Sequence, residues 1–244
     1  MKKVSLLSLL SVLAISTAAG AHTENPFYAP AEGKVYSITS VEMGDQFKGV
    51  DDSTLTIREK VGYGITNRLN VSGSIDYLFD SYMGEAFDTE DGLGMFNFGL
   101  TYRYLTGSML ADAYFNYGTS MDKDVWYDNN TLTFGTKFGK RTSKYAVAGL
   151  VEYRYVDDKA YNENYNQFEF GVEGMYQFNP TWSANLSLNY EMLDDFYGDD
   201  VDNPLYLKPQ VNVTTSTGTI SAYYKTDLAG DFEDAMGVKY GVQF

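Results

Sequence analysis

Apolar and polar residues alternate with a period of two along most of this chain. Between 69 and 79, Leu69, Val71, Gly73, Ile75, Tyr77 and Phe79 share one face, and Asn70, Ser72, Ser74 and Asp76 share the other. Phe168, Phe170, Val172, Gly174, Tyr176 and Phe178 alternate in the same way with Gln167, Glu169, Gly171, Glu173 and Gln177. Strict alternation over such lengths is the signature of a strand with one apolar and one polar side. Twelve segments read this way: 34–43, 53–63, 69–79, 93–105, 109–118, 131–139, 145–156, 166–178, 182–191, 205–214, 219–227 and 235–244. Most approach the roughly 9–11 residues that carry a tilted strand across a bilayer.

The connections sort by length. Those at 64–68, 106–108, 140–144, 179–181 and 215–218 are short and rich in turn residues. Those at 44–52, 80–92, 119–130, 157–165, 192–204 and 228–234 are long, and the two kinds alternate strictly. An even-stranded membrane barrel with both ends on one side of the bilayer has this arrangement, with its long loops outside. A soluble sandwich has no reason to sort its loops so. Aromatic residues also gather at segment ends. Tyr63, Tyr104, Phe138, Tyr145, Phe178 and Trp182 flank short turns, and Phe79, Tyr117, Tyr155 and Tyr190 flank long loops, as two interfacial girdles would. The predicted fold is therefore all-β: a single transmembrane, antiparallel, up-and-down β-barrel of about twelve strands. Glu59 falls on the apolar face between Ile57 and Val61, which predicts a bulge or register change there.

The first 33 residues fall outside this pattern. Met1-Lys2-Lys3, an apolar run from Val4 to Ala18 and the small residues Ala19-Gly20-Ala21 predict a secretory signal peptide over 1–21. Residues 22–33 then form a short periplasmic N-terminal segment, and 34–244 the barrel. Composition fits that reading. The chain has 244 residues, a net charge of −15, 22 Tyr, 15 Phe, one His and no Cys. Without cysteine there are no disulfides or thiolate metal sites. The acidic balance argues against nucleic acid as a partner.

The final segment, Gly237-Val238-Lys239-Tyr240-Gly241-Val242-Gln243-Phe244, alternates to a terminal aromatic. Together with the leader, it makes the chain resemble the outer-membrane β-barrel proteins of Gram-negative bacteria. The stretch from Tyr63 to Leu69, followed by an alternating strand, is similar to small channel-type barrels of that class. The resemblance implies a bacterial outer-membrane location, contact with lipid and lipopolysaccharide, and recognition of Phe244 by the barrel-insertion machinery.

Catalysis finds little support. The lone His22 precedes the first strand, which closes Ser–His and Asp–His routes, and no cofactor or metal site is expected. The expected lumen is more informative. With the polar face inward, Lys34, Arg58, Lys60, Arg103, Lys137, Arg154, Lys208, Lys225 and Lys239 meet Glu42, Asp76, Asp112, Glu152, Glu169, Glu173, Glu191 and Asp227. These charges either cross-pair and fill the interior, or form opposed walls that orient small polar or zwitterionic solutes. There is no arginine excess to favour acidic sugars. The six long loops hold 22 acidic residues against three lysines, a net of −19. Among them, Asp88, Glu90, Asp91, Asp194, Asp195, Asp199, Asp200 and Asp202 form an expected acidic vestibule. The expected function is a porin-like channel for small polar solutes with a mild cation or zwitterion preference. The alternative is a non-conducting structural or surface-interaction barrel.

Overall fold

The structure, a computed structural model, describes residues 23–44, 53–81, 90–125, 128–159, 163–193, 203–230 and 234–244. The predicted signal peptide, residues 1–21, and His22 lie outside the described residues. Twelve strands follow in chain order: β1 Val35–Gly44, β2 Thr54–Gly64, β3 Leu69–Ser81, β4 Glu90–Leu105, β5 Leu110–Ser120, β6 Asn129–Arg141, β7 Tyr145–Asp158, β8 Glu163–Gln177, β9 Trp182–Leu193, β10 Leu205–Thr214, β11 Thr219–Asp227 and β12 Ala235–Gln243. Each pairs antiparallel with its sequence neighbours, and β12 closes on β1 from Tyr36–Gln243 to Gly44–Ala235. Closure leaves no sheet edge, so every strand's backbone finds partners within the wall, as a spanning structure requires. At the seam the Phe244 amide donates to the Val35 carbonyl at 2.8 Å.

Several strands run past their predicted ends toward the long loops. β3, β4, β6, β7 and β8 each gain residues there, such as Asn129, Asn130, Asp157, Asp158, Glu163 and Asn164. These positions are polar on both faces and carry no alternation, yet the ladder continues through them. Three irregularities mark β4. Gly94 and Met95 together oppose Asp76 on β3, the register shifts again between Leu78 and Ser81 of β3, and it shifts once more between Arg103 and Leu105 against β5.

The apolar faces point outward. Val61, Phe98, Phe134, Val151, Phe170, Val172, Leu186 and Val238 are all exposed on the outer wall. The aromatic residues beside the short turns, including Tyr104, Phe138, Phe178 and Trp182, stand outward at one rim. Glu59 corrects an expectation. The register from β1 through β2 to β3 is regular around it (Thr39–Glu59–Ile75), with no bulge. Instead Glu59 faces outward and its carboxylate accepts hydrogen bonds from Ser37 Oγ and from Thr39 Oγ1, the latter at 2.6 Å. Two hydroxyls on β1 supply locally what a shift in register would have supplied by rotation.

Residues 23–33 fold into the lumen from the short-turn end as a strap. The chain turns into β1 at Gly33, which has φ +75°, and the Lys34 amide donates to Ala31 O at 3.0 Å. Phe27 is completely buried against Leu110 and Ala148, inward residues of β5 and β7. Tyr28 donates to Gln243 at 2.8 Å and meets the edge of Tyr36. The apolar core thus lies inside the barrel at one end, around Phe27.

Candidate functional site: the lumen and its strap

The pleat sends every second residue inward, and the register shows which ones. Around the ring, Arg58 faces Asp76, Arg103 faces Asp112, Asp112 faces Lys137, and Glu152 faces Glu169. Lys60, Arg154, Glu173, Lys208, Lys225 and Lys239 fall on the same inner face.

Ion pairs follow the wall. Arg58 holds Asp76 in a two-pronged bond at 2.6 and 2.7 Å. Arg103 does the same to Asp112 at 2.7 and 2.8 Å, deep in the wall. Arg154 bonds Glu152 at 2.8 Å and Gln167 at 3.0 Å. Lys137 lies 3.8 Å from Glu173. Each of these pairs joins residues on one strand, on adjacent strands or on strands one apart. Arg58, Arg103, Arg154 and Glu173 therefore do not join into a plug across the lumen. The Arg58 side chain remains 51% exposed although it points inward, so the interior beside it is open to water.

The charges segregate around the ring. Glu152, Glu169, Glu173 and Glu191 stand on β7 to β9, with Arg154 among them. Lys208, Lys225, Lys239, Lys60 and Arg58 stand on β10 to β12 and β2, with Glu42 among them. The basic arc adjoins the acidic one where β10 pairs with β9, and at its other end β2 lies six strands from β8 in a ring of twelve, so Arg58 and Lys60 are the basic residues that face the acidic wall. Aromatic faces support the lysines: Lys225 Nζ lies 3.5 Å from the Tyr206 ring centroid and Lys208 Nζ 4.2 Å from that of Tyr223. Lys60 is held in the field of Lys137, Arg58 and Lys239.

These inward tyrosines escape a sequence reading, because tyrosine suits either face of a barrel wall. One signal does mark them. Tyr36, Tyr114 and Tyr223 each pair across strands with a glycine, Gly62, Gly135 and Gly237. A Cβ on any of these glycines would come within 2.5 Å of the ring it faces. Tyr114 then reaches Glu152 at 2.8 Å, and Tyr223 donates to Glu42.

The strap closes the short-turn end. Its inward charge is Glu24, whose side chain is 8% exposed. The Glu24 carboxylate accepts from Gln210 Nε2 at 2.6 Å and lies 3.5 Å from Lys239 Nζ. Asn185 Nδ2 donates to the Glu24 carbonyl at 2.8 Å, and Arg103 Nη2 to the Phe27 carbonyl at 2.8 Å. Gln210 and Asn185 are themselves fixed through the buried Asn212 amide. Of the vestibule residues, Asp91 is exposed at the start of β4, where Glu90 begins the strand. Asp88, Asp194, Asp195, Asp199, Asp200 and Asp202 lie outside the described residues.

No protein-family model matches the sequence, and no curated protein matches it. Solved structures do resemble it. The COG4313 outer membrane channel from Pseudomonas putida F1 aligns with a TM-score of 0.68 at 14% identity, covering 90% of this chain and 98% of that one. The fold is that of outer-membrane channels. The NanC porin aligns at 0.59 with 12% identity, covering 84% and 98% of the two chains. The KdgM porin in complex with disordered oligogalacturonate aligns at 0.57 with 10% identity, covering 86% and 98%.

Proposed function

We propose that this protein is a bacterial outer-membrane channel through which small polar solutes diffuse passively, with a mild preference for cations and zwitterions. The observation that carries this reading is the lumen around Arg58. Its charges bond along the wall rather than across it, and water reaches the 51%-exposed guanidinium side chain. The facing acidic and basic walls then set up a transverse field in a narrow, low-dielectric passage, which orients dipolar solutes. The long loops and the strand ends beside them, together at −19, concentrate cations at the outer mouth. Lipid and lipopolysaccharide surround the wall, and Phe244 at the closing seam serves the insertion machinery.

A non-conducting barrel is the second reading, favoured by the strap in the short-turn end. Single-channel recording on the refolded protein in planar bilayers separates the two. Discrete conductance steps with reversal potentials favouring cations are expected. Absence of steps at every salt concentration overturns the channel, and anion-selective reversal overturns the cation preference.

A further inference from the structure

The strap does more than obstruct. Its Glu24 carboxylate sits where Gln210 Nε2 and Lys239 Nζ converge, the Asn185 amide holding the Glu24 backbone carbonyl beside it, and the side chain is only 8% exposed. A cavity of about 260 Å³ opens beside it, lined by Lys137, Glu173, Asn189 and Lys208 among others. Lys208 reaches this cavity with its ammonium over the Tyr223 ring. Glu173, reached by the same Asn185 amide, is loosely held, 3.8 Å from Lys137 and 3.3 Å from Asn185 Nδ2, and is 32% exposed. The cavity therefore has a cationic end already adapted to a carboxylate and an anionic end with acceptor capacity to spare.

We propose that this cavity is a binding site for small zwitterions of the amino-acid type, and that Glu24 is a tethered occupant of its carboxylate subsite. The solute carboxylate takes the place of Glu24 against Gln210, Lys239 and Lys208, and its ammonium turns to Glu173. Binding by this route competes with the strap, so arrival of solute favours its release from the lumen. The solute class rests on the channel reading above; the site itself does not.

The test is equilibrium binding to the refolded full chain in detergent micelles, read by saturation-transfer NMR with glycine, acetate and ethylammonium as probes. Glu24→Ala is expected to bind glycine about tenfold more tightly than the unaltered chain, acetate more weakly than glycine, and ethylammonium not measurably. Adding Lys208→Gln to Glu24→Ala is expected to abolish glycine binding. Equal affinity with and without Glu24, or glycine binding indifferent to Lys208→Gln, overturns the proposal. If Glu24→Ala yields too little folded barrel, Lys208→Gln in the unaltered background at higher glycine concentration interrogates the same site, and unchanged binding there also overturns it. Conductance is measured separately. Binding without channel steps upholds the site and refutes the channel, whereas steps without binding do the reverse.

Discussion

Arg103 Nη2 donates to the backbone carbonyl of Phe27 at 2.8 Å, so a wall residue of β4 grips the strap by its main chain. The same nitrogen, with Nε, also holds Asp112, which is 4% exposed. Arg103→Ala releases the strap and strands a buried carboxylate, a loss of about 3–5 kcal/mol. Asp112→Asn leaves the grip on Phe27 in place. Channel conductance is therefore expected to rise in Arg103→Ala well above that in Asp112→Asn, while urea unfolding from lipid vesicles shows Arg103→Ala as the less stable. Equal conductance in the two variants would mean that the strap does not limit flow.

Phe27 offers an independent handle on the same element. Its ring fills an apolar socket with Leu110 and Ala148 and has no accessible surface. Truncation of a fully buried phenylalanine costs about 3–5 kcal/mol in a closed core. Here the loss falls on docking of the strap rather than on the twelve-strand wall. Phe27→Ala is expected to expose residues 23–33 to protease in micelles while the barrel keeps its heat-modifiable mobility on gels.

The strap also shows where sequence reading stopped. The wall was legible because alternation survives in most of each strand: Phe168 to Phe178 reads outward on one parity, and on the inward parity Met175 is the one large apolar residue. Residues 23–33 carry Pro26, Pro30 and Gly33 and no period, so nothing in their own pattern places them. The trace lies instead on the wall, where Ala146, Ala148 and Leu150 occupy inward positions that are polar further along β7. Apolar residues facing a water-filled lumen imply a cover. Glu24 was invisible for another reason: its partners Gln210, Lys239 and Asn185 converge only once the ring has closed.

Tyr114 lies over Gly135 so closely that a Cβ there would be 2.1 Å from the ring. Gly135→Ala forces the ring aside and breaks its bond to Glu152, for an expected destabilisation of about 1–3 kcal/mol. Tyr114→Ala removes the obstacle. Because the two residues share one contact, their effects should not add. The double variant is expected to be less destabilised than the sum of the single variants in urea unfolding from vesicles. Strict additivity would show that the ring does not rest on the glycine.

Glu59 stands on the outer wall, where Ser37 and Thr39 bond its carboxylate. A carboxylate on the lipid face of a barrel is unfavourable by up to about 2 kcal/mol even when partly satisfied. Glu59→Leu is expected to raise stability by about 1–2 kcal/mol in the same unfolding assay. Destabilisation would instead mean that the carboxylate is held against a polar group from another molecule within the bilayer.

The facing walls make a prediction that depends on salt. Glu169 and Glu191 pair across β8 and β9 with no cation between them in the register, and Lys60 stands six strands from β8. Glu169→Gln with Glu191→Gln removes half of the acidic wall and is expected to shift the reversal potential toward anions. Lys60→Gln with Lys208→Gln is expected to shift it toward cations by a comparable amount. Screening contracts the reach of each charge from about 10 Å at 0.1 M salt to about 3 Å at 1 M. Lumen charges are confined with the permeating ion, whereas those of the loops act across open water. Selectivity set by the walls should therefore persist at 1 M salt, and selectivity set by the loops should vanish. Reversal potentials of the two double variants at both concentrations decide which of them governs permeation: variants that both match the unaltered protein at 0.1 M, with a selectivity that vanishes at 1 M, would move the selecting element out of the lumen and into the loops.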